Sequence, residues 1–262
     1  MFNEKSFRKE VTPKRVFALL KLVGYKNSSY TKSDLLNFIQ PMSISSSQDE
    51  IKKVIAFCEK ENLIKENHDG KYNLLIDEKY IENEKEFRKY INSILFIGIN
   101  KNPFYEVTVE MLTKDMNLYD YTGFENIASN LKTSEADKET MLGWRFWATF
   151  LGYGFILNKQ FVMNPYIRIQ DIIEMNLEDK FGKDLSIREF ITEITTYCIE
   201  MKNSVVDNEL SISISLALST LEGIGYIELK DVKDTSDRWK LNLGESIRYV
   251  THIFISGVKQ IG

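Results

Sequence analysis

The chain has 262 residues, of which 43% are hydrophobic and 12% aromatic. This composition is typical of a folded protein and excludes a largely disordered one, and the length exceeds one typical domain of about 100–150 residues. Because acidic residues outnumber Lys and Arg by 38 to 34, the net charge of −4 argues against a surface wrapped throughout by DNA.

The sequence offers no membrane-spanning segment. Its longest apolar run, residues 94–99, is far shorter than the roughly 18–20 residues that a span requires. The two cysteines, Cys58 and Cys198, lie at helical apolar positions in different segments, which favours buried thiols over a disulfide. We therefore expect a cytoplasmic protein that contacts no membrane.

Residues 1–81 have the pattern of three helices followed by a hairpin. Thr12 and Pro13 are typical of a helix start, and Gly24 of its end. A second helix is predicted from Thr31 to Pro41, and a third after the Ser45–Ser47 cluster. The turn at His68–Gly70 then predicts a β-hairpin. Three helices and a hairpin form a winged helix, here preceded by a basic arm.

Residues 82–165 repeat part of this pattern. A charged connector helix is predicted over 82–97, and a short irregular or helical piece over 123–131. A further helix over 138–151 runs into Gly152–Gly154, after which a second hairpin is expected. These residues are interpreted as a middle winged-helix-like unit.

Residues 166–262 form the third predicted unit, which again ends a helix in a Gly step at Gly223. Apolar residues recur at period two in the stretch 210–216, so a strand is an alternative there. We favour a helix because the spacing of apolar residues continues at helical period up to Leu221. The closing segment 247–255 is either a last strand or a docking helix.

The predicted fold class is therefore α+β: mainly helical, with small hairpins, in tandem winged-helix units joined by connector helices. This arrangement resembles the tandem winged-helix subunits that accompany SMC-like ATPases, and the winged-helix accessory components of bacterial anti-phage defence operons. The resemblance covers the architecture and includes no diagnostic motif. It implies an acidic protein without an active site that binds segments of partner proteins.

DNA contact, if the chain makes it, is expected in the N-terminal unit. Residues 1–30 carry seven Lys and Arg against two Glu, whereas residues 166–262 carry 11 against 16 acids. The third helix of a DNA-binding winged helix enters the major groove, and neighbouring cations contact phosphates. The candidates for these two roles are Lys5, Arg8, Lys9, Lys14, Arg15, Ser46, Ser47, Gln48, Lys52, Lys53 and Lys71. The alternative is a solvated helix face of mixed charge, because Asp49 and Glu50 lie among them.

The helix over 138–151 carries Trp144, Arg145 and Trp147. Trp and Arg are frequent at the centre of protein interfaces, so these three residues are candidates for partner binding. Two Trp at three-residue spacing among other apolar residues are also typical of core packing, and stacking on a nucleobase is a third possibility.

Little in the chain points to catalysis. His68 and His252 have no neighbouring ligand at metal-binding spacing, so neither a metal nor another cofactor is expected. Asp207, Glu228 and Lys230 follow the Asp…Glu-x-Lys pattern of Mg²⁺-dependent nucleases, but Glu-x-Lys arises by chance in a chain rich in both residues.

The sequence thus favours a non-enzymatic accessory subunit that binds a protein partner, with an SMC-like or other ATPase as one candidate. The alternatives are a winged-helix transcription regulator, which would act as a homodimer on two half-sites, and the metal-dependent nuclease.

Overall fold

The computed structural model describes residues 9–25, 29–95, 102–114, 138–158, 160–233, 237–244 and 246–257. Contacts within the chain divide it into two compact units. Unit 1 comprises Met1–Phe104 and Asp137–Leu151, and unit 2 comprises Tyr105–Ala136 and Gly152–Gly262. Helices and small, mainly antiparallel sheets are both present, which confirms the α+β fold class.

Unit 1 begins with three helices and a hairpin. The elements are α1 (Pro13–Gly24), α2 (Lys32–Ile39), α3 (Asp49–Lys60), β1 (Ile64–Glu66) and β2 (Tyr72–Leu74). A 3₁₀ turn at Glu78–Ile81 leads into α4 (Glu84–Leu95), and α5 (Pro103–Thr113) crosses from unit 1 into unit 2. Unit 1 ends with α6 (Lys138–Phe150).

Local capping explains where the first helices begin. The Thr12 side chain accepts a hydrogen bond from the Arg15 N–H, and Pro13 occupies the first turn of α1. At α2, Thr31 and Asp34 form a reciprocal capping box. The predicted starts of both helices are confirmed. The third helix begins later than the serine cluster suggested: Gln48 is its N-cap residue and makes no side-chain capping bond.

The hairpin of unit 1 gains a third, very short strand from the chain just before α2. Thr31 forms an antiparallel bridge with Lys71, and the Tyr72 N–H donates to the Tyr30 carbonyl (3.0 Å). The order across this small sheet is therefore residues 30–31, then β2, then β1. Tyr72 also donates its hydroxyl to Glu59 Oε1 (2.6 Å), which attaches the hairpin to α3.

Unit 2 contains the second hairpin and a longer run of strands and helices. Its elements after α5 are β3 (Gly154–Leu157), β4 (Gln160–Met163), α7 (Tyr166–Asn176), β5 (Asp184–Ser186), α8 (Ile187–Tyr197), β6 (Val205–Val206), β7 (Glu209–Leu210), α9 (Ile212–Gly223), β8 (Ile227–Lys230), β9 (Trp239–Leu243), β10 (Ser246–Val250) and β11 (His252–Ile255). Short 3₁₀ turns at Glu178–Lys180 and Ile199–Ser204 precede β5 and β6.

Two sheets in unit 2 lie around α9. The first has the strand order β5-β11-β8, all antiparallel. The second has the order β10-β9-β7-β6 and receives the hairpin β9–β10, which is inserted in the chain between β8 and β11. In this second sheet the pair β7–β9 is parallel. One edge of α9 contacts β9, since the Ser215 hydroxyl accepts the Asn242 N–H (2.9 Å).

Both open questions about the third predicted unit are answered. The stretch 210–216 is helical from Ile212 onward, as favoured, while Leu210 is a strand residue of β7. The closing segment is β10 and β11, so the strand alternative is the right one. The predicted connector helix and the helix over 138–151 are present as α4 and α6. The piece predicted over 123–131 lies outside the described residues.

Among the described residues, none of the helices combines the length and the apolar character that crossing a membrane would require. Cys58 and Cys198 are both buried, and neither forms a disulfide. Burial raises the pKa of each thiol far above its usual value, so neither is a reactive thiolate at neutral pH.

Candidate interaction surfaces

Five of the residues proposed for DNA contact lie on α3 or directly before it. Ser46, Ser47 and Lys52 are exposed, and the Lys52 ammonium lies 2.9 Å from Asp49 Oδ1. The Gln48 amide donates to Asn37 Oδ1 (3.2 Å) and to the Gln40 carbonyl (3.0 Å). These bonds hold Gln48 against α2, so reading a base with this amide would require breaking them.

Arg15, which was proposed for phosphate contact, and Lys53, which was proposed on the DNA-reading helix, are each paired with an acid that is distant in the sequence. Arg15 Nη2 lies 2.6 Å from Glu50 Oε2, and Lys53 Nζ lies 2.7 Å from Glu10 Oε1. The hydrogen bond from Lys53 is the main reason that the pKa of the Glu10 carboxyl is lowered, so this carboxyl is charged at neutral pH. The acids oppose the positive charge that the sequence suggested for this surface.

The remaining predicted cations are spread over different elements. Lys9 and Lys14 are exposed near the start of α1, and Lys71 is exposed at the start of the second hairpin strand. Lys5 and Arg8 lie outside the described residues. In the structure, Arg15, Lys52 and Lys53 are therefore each next to an acid, whereas Lys71 is on the hairpin.

Trp144 and Trp147 lie in the core of unit 1. They are 0% and 1% exposed, and Trp147 Nε1 donates a hydrogen bond to the Val11 carbonyl (2.9 Å). The Trp147 ring packs near Phe57, with centroids 5.8 Å apart. Both rings therefore pack in the core, which is the alternative to partner binding that the sequence allowed. The Arg145 guanidinium lies 4.8 Å from the Phe146 ring centroid.

The residues of the nuclease-like pattern belong to different parts of unit 2. Asp207 lies in the turn between β6 and β7, with a positive φ of 48°. Glu228 and Lys230 are on β8, which is in the other sheet, and Lys230 Nζ lies 2.7 Å from Asp184 Oδ1. Across the described residues, no group of three or more His, Cys, Asp or Glu side chains is arranged to hold a metal ion.

Unit 2 contains a buried polar cluster that the sequence analysis did not identify. Glu200 is 0% exposed, and its Oε1 accepts hydrogen bonds from the Tyr153 hydroxyl (2.7 Å) and from Arg168 Nε (3.2 Å). Arg168 is itself 2% exposed. Burial, and then the negative charge of Glu200, raise the pKa of the Tyr153 hydroxyl, so Tyr153 acts as a neutral donor. The cluster connects the hairpin, α7 and the 3₁₀ turn after α8.

Fold and surfaces together define a class: a small α+β protein that repeats a helix-and-hairpin arrangement and is rich in surface ion pairs. The sequence matches the profile of the DpdG-like family over residues 8–235, which is more than half of the chain. The chain therefore belongs to the DpdG-like family. That family belongs to a multi-protein bacterial defence system that involves DNA modification. Neither curated proteins nor solved structures gave a match to the chain.

Proposed function

We propose that the chain is a non-enzymatic accessory subunit of a cytoplasmic bacterial defence complex, built from winged-helix units that bind protein partners. The observation that carries this proposal is a shared topology in two parts of the chain. Together with membership in the family of a multi-protein defence system, it favours a module that joins other components.

The first copy of the topology is in unit 1. Along the chain the order is helix α1, short strand 30–31, helices α2 and α3, then β1 and β2. Across the sheet the order is first-third-second, because the third strand of the chain, β2, lies between the first, 30–31, and the second, β1. In unit 2 the same order is α7, β5, α8, α9, β8 and β11, and the sheet order β5-β11-β8 is again first-third-second. Apart from the strands β6, β7, β9 and β10, which are additional in unit 2, this order is the one typical of a winged helix, and it supports that part of the proposal. A middle winged-helix unit over 82–165 remains part of the proposal.

The charges favour protein binding over DNA reading. In unit 2, the helix in the position of a DNA-reading helix is α9, which contains no Lys or Arg. Most of its side chains are buried, and the inserted hairpin contacts it through Asn242. In unit 1, Glu10 and Glu50 neutralise two of the cations next to α3. Any DNA contact is therefore local, weak and confined to unit 1.

Partner capture tests the proposal. The tagged chain, expressed from its native operon, is expected to purify with at least one other protein, for which an ATPase of SMC-like type is our first candidate. Purification of the chain alone, or only with copies of itself, would contradict the proposal.

The transcription-regulator alternative has its own test. A regulator would bind one duplex sequence tightly and lose that binding in the variant Lys52→Glu with Lys53→Glu, because phosphate contacts dominate affinity. We expect instead weak DNA binding, without sequence preference, in fluorescence anisotropy. Mg²⁺-dependent cleavage that Glu228→Ala abolishes would favour the nuclease.

A further inference from the structure

The outer edge of β10 has the chemistry of a strand-binding site. We infer that β10 receives an extended segment of a partner protein, which adds a fifth strand next to the order β10-β9-β7-β6. This inference rests on the proposed function, because it names the kind of partner that the accessory subunit binds.

The hydrogen-bond pattern of the hairpin shows which backbone groups face outward. Leu243 pairs with Ser246 and Leu241 pairs with Arg248, and in an antiparallel ladder such alternate pairs exchange both backbone hydrogen bonds. Alternation then makes Ile247 and Tyr249 the non-bonded positions, whose N–H and C=O groups point away from β9.

Two bonds on the neighbouring strand support this assignment. Asn242, opposite Ile247, donates its N–H to the Ser215 hydroxyl, and Lys240, opposite Tyr249, donates its N–H to the Asn208 carbonyl (2.8 Å). Both N–H groups therefore point away from β10, as the alternation requires. Within the part of the chain that the structure describes, β10 pairs with β9 alone.

The side chains at these two positions are apolar and exposed. Ile247 is 55% and Tyr249 is 44% exposed, and both lie on the sheet face that is turned away from α9. The Arg238 guanidinium lies over the Tyr249 ring at 4.8 Å and is itself held by Asp231 through two hydrogen bonds (3.1 and 2.6 Å). One face of the Tyr249 ring thus already has a cationic neighbour.

The edge also lacks several of the devices by which natural proteins block added strands. Natural proteins guard such edges with Pro, Lys or a bulge, whereas β10 is a regular strand with one charged residue. That residue, Arg248, is on the opposite face, where it donates to both carboxylate oxygens of Glu222 and to the Leu229 carbonyl. Its charge is therefore compensated and does not repel an incoming strand.

The length of the edge identifies the occupant. Five residues extend about 17 Å, and pairing two copies of this chain along that length alone would bury less than the roughly 1,200 Å² of a stable specific interface. A partner segment that continues beyond the strand can bury more. The backbone groups select an extended conformation, and Ile247 with Tyr249 select apolar side chains at alternate positions on one face.

The test combines a backbone variant with amide exchange on the full chain. Ile247→Pro removes an outward N–H but none of the bonds to β9, because Pro is tolerated where the N–H of an edge strand faces solvent. Ile247→Thr keeps the N–H and is the matched control. The probe is the set of proteins that purify with the tagged wild-type chain from its native host.

We expect the Pro variant to fold, by circular dichroism, and to retain about tenfold less partner, while the Thr variant stays within about threefold of wild type. In the wild-type complex, exchange of the Ile247 and Tyr249 amides should slow at least about tenfold. Equal capture by the Pro variant, or unchanged exchange, overturns the strand-binding inference and leaves the proposed function standing. No protein captured by the wild type overturns both.

Discussion

At the scale of single residues, Glu200 is the side chain that joins Tyr153 and Arg168 in the buried polar cluster of unit 2. Its carboxylate faces the buried Arg168 guanidinium, and removing one partner of a buried ion pair leaves an uncompensated charge. Glu200→Gln is expected to destabilise unit 2 by about 3–5 kcal/mol, as measured by urea unfolding.

Glu228→Gln is the matched control, because Glu228 is on the surface of the same unit and its side chain is 62% exposed. Its free energy of unfolding should stay within about 0.5 kcal/mol of wild type. A similar loss in both variants would mean that the buried pair contributes nothing specific.

Glu10 and Glu50 are the acids that pair with Lys53 and Arg15 in unit 1, and we expect them to limit any DNA contact there. In the double variant Glu10→Gln with Glu50→Gln, Lys53 and Arg15 lose their acidic partners. If both then reach phosphates, the slope of log affinity against log salt should steepen by up to about 2. Fluorescence anisotropy over a salt series at pH 7 measures this slope, and an unchanged slope would show that neither cation reaches DNA.

The pH of that assay matters because the pKa of Glu10 is lowered in the folded chain. A lowered pKa means that the pair with Lys53 contributes stability above the unfolded pKa, and that this contribution is lost as pH falls through the folded pKa. At pH 7 the wild-type pair is fully formed. The wild-type and variant chains therefore differ in charge throughout the salt series.

At the scale of elements, the hairpin β3–β4 depends on the absence of a side chain at Gly154. A Cβ there would overlap the Val162 carbonyl oxygen and lie 2.8 Å from Phe161 Cε1. Gly154→Ala should therefore cost about 1–3 kcal/mol. Gly223→Ala is the control, because its Cβ would meet nothing within 4 Å and Ala favours a helix by up to about 1 kcal/mol. Opposite shifts in Tm are expected, and equal shifts would contradict the packing at Gly154.

The elements that the sequence predicted well are those set by neighbouring residues. The starts of α1 and α2 follow from caps within four residues, and the hairpins follow from compact turns. The strand β5 could not be recognised in the same way, because its partner β11 lies more than 60 residues further along the chain. The sequence of a three-residue strand carries too little periodicity to predict such a pairing.

The partners of the predicted site residues could not be recognised from the sequence for a related reason. Lys53 was expected on the exposed face of the DNA-reading helix, because its pairing with Glu10, 43 residues away, depends on how the chain before α1 lies against α3. Glu200 looked like one more surface acid, since nothing near it in the sequence shows that Arg168 and Tyr153 will enclose it. From the sequence, Trp144 and Trp147 could lie either in the core or at an interface, and their burial distinguishes these two positions.

At the scale of the whole molecule, the proposed role as an accessory subunit requires a stable protein partner that does not depend on DNA. Native mass spectrometry of the tagged chain, purified from its native host and treated with a nuclease, measures this directly. We predict one complex of fixed stoichiometry that contains the chain and at least one other protein of the defence system. A mass equal to the chain alone, or to multiples of it, would contradict the accessory role.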